Sequence, residues 1–280
     1  MTYATGFVPD RSLRLWRLPQ AGFVIRSPAR TVVVDPWLSD ALERSTAADD
    51  HPVQRAAALP CSVADLPVID LVCCTHEHPD HLDLETLQIV AARSPETMFV
   101  VPAPLAGIVA GAGIDAARVV GAEVEERRAV AGVDVLALPA RHRLAPDAPD
   151  GYDFERDAAG HHHAVGYVLG LGGVTVFHSG DTIRFTGDAD RLRREQIAVA
   201  LLPVNGRDAQ REARALVGNL RPSEASALAA EASIPHLVPC HYDGVVGNTG
   251  DPGAVVDHVV EHALPVTVHV VGSAGVVVTG

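Results

Sequence analysis

Apolar and polar positions fall into short runs over the first third of the chain. Residues 13–18, 22–25 and 31–34 are alternating or continuously apolar, and Pro19, Gly22 and Pro28 punctuate them. Such runs predict three short strands, the third closed by Asp35-Pro36. Residues 40–65 are polar and without periodicity, which predicts a loop or lid. The run 68–74 is apolar apart from Asp70 and predicts a strand buried on both faces. It stops abruptly at Thr75-His76-Glu77-His78-Pro79-Asp80-His81. Helical spacing follows: Leu84, Leu87, Val90 and Ala91 recur as on one helix face, behind Asp83 as an N-cap.

Further along, the pattern predicts a strand at 98–101, a short helix at 104–112 and strands at 124–130 and 133–138. Residues 141–162, rich in Arg, Asp, Pro and His, read as a loop. Runs at 164–171 and 174–177 predict a hairpin turned at Gly172-Gly173. An apolar run at 197–203 leads into a polar loop. Pro222 suits the first turn of a helix reaching Ala232. A strand at 236–239 runs into Cys240-His241-Tyr242-Asp243, and a helix at 252–262 and strands at 266–271 and 276–279 follow. Strands alternating with helices, and no low-complexity linker, predict one α/β domain over residues 1–280. Two apolar strands end in histidine, one in Cys-Thr-His and one in Pro-Cys-His, which suggests one site at one edge of the sheets.

Composition narrows the function classes. The chain is 48% hydrophobic, enough for a sizeable core. Its 22 basic and 35 acidic residues give a net charge of −13. The broad positive field that nucleic-acid binding needs is missing, so no nucleic-acid partner is expected. No apolar run reaches the length of about 18 residues that suggests a membrane span, so stable membrane insertion is not expected. Residues 1–9 lack a charged leader before an apolar core. Cys61, Cys73, Cys74 and Cys240 show no disulfide or four-cysteine metal spacing and read as buried, reduced thiols. A cytoplasmic setting follows as the expectation, and assembly into a homo-oligomer stays open.

The chemistry concentrates in one segment. His76-x-His78-x-Asp80-His81 places four ligand groups within six residues. Imidazole and carboxylate suit zinc, manganese or iron. A catalytic ion keeps one position open for water, so four ligands from one segment exceed one ion's need and point to two. The plain alternative is a solvated polar turn. Three histidines and an aspartate at this spacing, ending a buried run, argue against it.

This motif resembles the signature of the metallo-β-lactamase superfamily. Phe177-His178-Ser179-Gly180-Asp181-Thr182 resembles that family's strand ending in Gly-Asp, and Pro239-Cys240-His241-Tyr242-Asp243 resembles its late histidine segment. Residues 21–25 through Asp35-Pro36 resemble its N-terminal hairpin, and Pro139-Ala140-Arg141-His142 is placed to supply the third histidine. The resemblance implies a four-layer αβ/βα sandwich. It implies that His76, His78 and His142 bind one divalent ion, Asp80, His81 and His241 a second, and that Asp181 bridges them. Zinc is the first choice, with manganese or iron as alternatives. It further implies a hydrolase in which a metal-bound hydroxide attacks an ester or lactone, with Asp80 catalytic because its charge sustains that hydroxide. The triplet His161-His162-His163 competes with His142 for the third position, but it lies directly before a strand. His178 is expected to pack beside the site. The superfamily's flavodiiron proteins resemble His-x-Glu-x-Asp-His, whereas the corresponding residue here is His78.

A narrower resemblance covers Leu202-Pro203-Val204-Asn205-Gly206-Arg207, Gly218-Asn219-Leu220 and Glu224-Ala225. These are similar to the branch containing L-ascorbate-6-phosphate lactonase. The same branch resembles N-acylphosphatidylethanolamine phospholipase D, so phosphodiester hydrolysis is an alternative, and a metal-binding protein without turnover is another. A small anionic substrate is expected. Asn205 can donate from its amide, and Arg207 and Arg211 are four residues apart, as on one helical turn. The competing reading pairs these arginines, and Arg141, Arg143, Arg184 and Arg214, with surface acids.

Overall fold

A computed structural model describes residues 12–271 and 276–279. The reading of residues 1–9 lies outside the described residues. The first sheet begins with β1 (Ser12–Arg17), β2 (Phe23–Arg26) and β3 (Thr31–Val34), an antiparallel meander. Parallel strands β4 (Leu71–Cys73), β5 (Met98–Pro102) and β6 (Val119–Ala122) extend it. Between these strands lie helices α1 (Ala41–Ser45), α2 (Leu84–Arg93) and α3 (Ala106–Gly111).

The chain then crosses to a second sheet through β7 (Arg127–Val130) and β8 (Val133–Pro139). Two-residue strands β9 (Arg143–Leu144) and β10 (Tyr152–Asp153) pair apart from both sheets. The second sheet continues with β11 (Val165–Leu171), β12 (Val174–His178), β13 (Val199–Pro203), β14 (His236–Cys240) and β15 (Thr267–Val268). Helices α4 (Asp188–Arg194), α5 (Ala209–Glu212), α6 (Pro222–Glu231) and α7 (Gly253–Glu261) occupy its connections. The last strand, β16 (Val276–Thr279), returns to the first sheet, giving the order β16-β1-β2-β3-β4-β5-β6. The second sheet has the order β15-β14-β13-β12-β11-β8-β7.

Strand alternation sorts the side chains into three apolar layers. Leu13, Leu15, Phe23, Ile25 and Val34 of the first sheet meet Val135, Tyr167, Val176, Leu201 and Val238 of the second. The opposite face of the first sheet, with Val33, Val72 and Phe99, buries Leu87 and Val90 of α2. The opposite face of the second, with Leu136, Phe177 and Leu202, buries Leu192 of α4, Leu228 of α6 and Val255 of α7. The result is the four-layer αβ/βα sandwich expected. The turn between β11 and β12 takes positive φ at both Gly172 (57°) and Gly173 (81°), as a tight two-residue hairpin demands.

Several boundaries differ from the expectation. The strand foreseen at 68–74 shrinks to β4, because Val68 stands 79% exposed and Asp70 turns its carboxylate to the Thr31 N–H at 2.8 Å. The strand foreseen at 124–130 breaks up: Val124 makes an isolated bridge to Ala137, the chain turns at Glu125, and β7 starts at Arg127. The segment 266–271 keeps only β15. Residues 40–65 are not simply irregular. They contain α1 and a 3-10 turn at Val63–Asp65, and residues 54–56 pair antiparallel with 244–246 through Ala56 N–Gly244 O (2.9 Å) and Val246 N–Gln54 O (2.9 Å). Among the described residues no helix is long and apolar enough to cross a membrane.

Candidate metal centre

Loops leaving the ends of β4, β8, β12 and β14 bring the histidine motifs together between the two sheets. Asp83 caps α2 by accepting from Thr86 N at 3.2 Å, and its other oxygen accepts from Leu38 N and Ser39 N at 3.1 and 2.8 Å. That cap closes the motif loop, and His81 N and Leu82 N both donate to His78 O at 2.8 Å.

Two donor groups result. His76, His78 and His142 form one, and Asp80, His81 and His241 the other. In the first, His78 Nδ1 lies 2.9 Å from His76 Nε2 and 3.3 Å from His142 Nε2. In the second, Asp80 Oδ2 lies 3.8 Å from His81 Nε2 and 3.5 Å from His241 Nε2. Asp181 stands between them: Oδ1 is 3.5 Å from His81 Nε2, while Oδ2 is 3.0 Å from His241 Nε2 and 3.6 Å from His142 Nε2. All seven expected ligands therefore converge. The triplet His161-His162-His163 does not join them. His161 pairs with Asp157 at 3.0 Å, His162 accepts from Arg156 Nε at 3.1 Å, and His163 groups with Glu77 and Glu155.

Asp35 orders both groups, a role not read from the sequence. Its side chain is wholly buried and its backbone has φ 45°. It accepts from Thr75 N at 2.8 Å, Thr75 Oγ1 at 2.7 Å and His81 Nδ1 at 2.7 Å. With its hydroxyl proton given to Asp35, Thr75 Oγ1 accepts from His76 Nδ1 at 3.0 Å. One carboxylate thus orients a histidine in each group, directing Nδ1 to Asp35 or Thr75 and leaving Nε2 to face the site. The only sequence trace is an aspartate ending an apolar strand, where burial demands partners. His178 acts on Asp181 indirectly. Its Nε2 donates to Ala21 O at 2.7 Å, and its Nδ1 accepts from Gly180 N at 3.0 Å, which shapes the turn before Asp181.

Charge distribution across the centre is uneven. Burial, with the imidazoles of His81 and His78, pushes His76 well below the ordinary histidine range. Burial pushes His142 down to about 3, with Asp181 opposing. Burial also works against charge on His81 and His241, but carboxylates outweigh it. Asp181, Asp35 and Asp80 hold His81 well above its usual value, and Asp181 and Asp80 raise His241 to about 9. Despite burial, Asp80 and Asp181 lie below the usual carboxylate range because His81 and His241 face them. The centre demands positive charge between these side chains.

A divalent ion fits that demand better than a proton does. The His81 ring spends Nδ1 on Asp35, and its buried Nε2 and Asp181 Oδ1 have no hydrogen-bond partner among the described residues. Their separation of 3.5 Å is long for a hydrogen bond. It is close to the edge of about 3.3–3.4 Å in a tetrahedron with metal–ligand bonds of about 2.0–2.1 Å. The other donor separations, 2.9 to 3.8 Å, bracket the same edge.

Asn205 and Arg207 lie on the loop after β13 and Arg211 on α5, the loop being tied to β14 by Val204 N–Cys240 O at 3.0 Å. They are internally engaged. Asn205 Nδ2 donates to Asn248 Oδ1 at 2.8 Å, and its Oδ1 accepts from Asn219 Nδ2 at 3.0 Å. Arg207 forks onto Glu224 at 2.6 and 2.7 Å. Arg211 donates to Asp208 at 2.6 Å and Asn205 O at 2.9 Å, and its Nη2 has no hydrogen bond among the described residues. Arg141 and Arg184 are likewise paired, with Asp150 and with Asp188 and Glu231.

Comparison with known proteins bears on this geometry. A family model described as "Beta-lactamase superfamily domain" matches residues 30–242. A relative named "UPF0173 metal-dependent hydrolase" from Pyrococcus furiosus is 28% identical over 240 residues, covering 84% of this chain and 87% of the relative. Among solved structures, the isothiocyanate hydrolase from Delia radicum gut bacteria superposes with TM-score 0.73 at 19% identity, covering 95% and 98% of the two chains. Igni18, a metallo hydrolase from Ignicoccus hospitalis, gives 0.66 at 19% identity, covering 96% and 99%. These structural likenesses speak to the fold.

Proposed function

The chain belongs to the β-lactamase superfamily, its match spanning residues 30–242, and from that premise we propose a metal-dependent hydrolase that holds two divalent ions and cleaves an ester or lactone of a small anionic molecule. The hydrolase reading rests on the family, the named relative and the donor cluster. The observation that carries the ions is the His81 ring, held by Asp35 so that its Nε2 faces the carboxylates of Asp80 and Asp181. Asp181, within reach of both groups, supports a pair rather than one ion. Zinc suits the His/Asp donor set, and manganese or iron are the alternatives.

When bound, such ions would polarise an electrophilic carbonyl and lower the pKa of water toward about 7. The chain's own residues do the rest. Asp80 is only 16% exposed at its side chain, and its Oδ2 is engaged by Gln20. Its Oδ1 has no hydrogen bond among the described residues, so it is the atom assigned to orient attacking water and hold its proton. Arg211 Nη2, beside Asn205, is assigned to an anionic group of the substrate. Arg207 is closed on Glu224 and is assigned to bracing that loop instead. The finer kinship with the ascorbate-6-phosphate lactonase branch gains support from its residues forming one network, Asn205 with Asn219 and Arg207 with Glu224.

Elemental analysis after loading should give two ions per chain, and a panel of lactones, phosphodiesters and thioesters should show lactone or ester turnover. Asp80→Asn should lower that turnover at least about hundredfold, the scale of a lost proton-transfer group, while leaving the fold intact by circular dichroism. Turnover of phosphodiesters alone would reject the ester reading. Near-normal turnover by Asp80→Asn would reject the role of Asp80.

A further inference from the structure

We infer that Gln20 is a positioning residue of the metal centre that acts through Asp80, holding its carboxylate toward the ion of the Asp80, His81 and His241 group. The inference rests on the two-ion reading above. Gln20 is wholly buried in the turn between β1 and β2, with φ 56°. Gly244 N donates to its Oε1 at 2.9 Å, which identifies that atom as the acceptor and turns the amide nitrogen the other way. Nε2 then donates to Asp80 Oδ2 at 3.0 Å and lies 3.4 Å from His241 Nε2.

The oxygen it grips is the one that faces both imidazoles. Asp80 is the donor in its group with solvent exposure, so its carboxylate is free to rotate toward water unless something holds it. The amide supplies that hold as a charge-assisted hydrogen bond. The backbone of Gln20 reinforces the arrangement. Its carbonyl accepts from His241 N at 2.8 Å and from Arg17 Nη2 at 3.3 Å. Arg17 in turn is buried against Asp243 and over the Tyr242 ring at 4.2 Å. One residue from the first hairpin therefore touches two members of a donor group that arises elsewhere in the chain. An amide bond to the ligating oxygen also draws electron density from it, which opposes binding. Outer partners of metal ligands nonetheless favour binding on balance, their loss costing roughly 10–100-fold in affinity.

The test is a cobalt(II) titration of the metal-free full chain, read by absorption and checked by elemental analysis, for wild type, Gln20→Met, Asp80→Asn and the double variant. Gln20→Met should weaken one of the two binding steps by roughly 10–100-fold and leave the other unchanged. In the Asp80→Asn background it should add no further loss. Gly244→Ala provides a second route, because a Cβ there would lie 2.3 Å from Gln20 Oε1 and must push the amide aside. It should reproduce the selective loss, and it carries the test if Gln20→Met fails to fold. Unchanged binding in the variants, equal loss at both steps, or an undiminished loss when Asp80 is already asparagine would overturn the role of Gln20. Wild type taking up fewer than two ions would instead overturn the two-ion reading, whereas Asp80→Asn binding both ions as wild type does would overturn Asp80 as a ligand and with it the role of Gln20.

Discussion

Arg207 and Arg211 lie four residues apart yet face different partners, and single substitutions should separate them. Arg207 is mostly buried and forked onto Glu224. Arg207→Ala leaves a half-buried carboxylate short of its partner, so it should lower stability by about 1–3 kcal/mol, read by thermal or urea unfolding, with little change in KM. Arg211→Ala should raise KM for anionic substrates about tenfold, the effect of roughly 1.4 kcal/mol, while sparing neutral esters. If charged and neutral substrates respond alike in steady-state kinetics, the anion contact at Arg211 is wrong. Among the histidines, His142→Ala should reduce metal occupancy far more than His163→Ala, because His142 Nε2 lies 3.3 Å from His78 Nδ1 whereas His163 sits with Glu77 and Glu155. Metal titration showing the reverse order would move the third ligand to the triplet. These ligands were legible in the sequence because four donors within six residues carry their own signal. Asp35 and Gln20 were not. Their partners lie 40 to 224 positions away, and only the folded chain makes an aspartate at a strand end or a glutamine in a turn meaningful.

At the level of elements, the turn after β12 is the most constrained. Gly180 has φ 60°, and a Cβ there would come within 2.8 Å of both Thr75 Cβ and Val165 O. Gly180→Ala should therefore displace Asp181 and Thr75 together. We expect a loss of about 1–3 kcal/mol from backbone strain, read by thermal unfolding, with a parallel fall in metal affinity read by titration. A variant with wild-type melting and metal uptake would show that the turn has slack. Strands with buried apolar runs, such as β3, β11 and β13, were readable because apolar alternation or continuity decides them. Several elements escaped, α4 and β6 among them. α4 has the sequence DADRLRR and buries only Asp188, Ala189 and Leu192, too narrow an apolar stripe to stand out. β6 has only four residues, VVGA, and is defined by pairing with β5. Conversely, 68–70 looked like strand because apolar composition was taken for burial, and Val68 shows the difference.

Over the whole molecule, the candidate ligands come from both sheets. His76, His78, Asp80 and His81 follow β4, while His142, Asp181 and His241 follow β8, β12 and β14. Ions held there would tie the halves together. Each should stabilise the native state by about 2.7 kcal/mol when free metal is a hundredfold above its Kd. Chelation should thus lower Tm by roughly 5 °C per site, measured by calorimetry with and without added zinc. An unchanged Tm in a protein verified to lose its metal would contradict the tie. The first sheet has a further consequence through the strand that ends it. Residue 12 pairs with residue 279, placing β16 against β1. A chain emerging from the ribosome makes β1 well before its edge partner β16, with all the other described strands between them. Until then β1 offers an uncovered row of backbone groups, the kind of edge on which neighbouring chains pair and aggregate. Refolding should accordingly be slow, governed by a search between distant segments rather than by local helix formation.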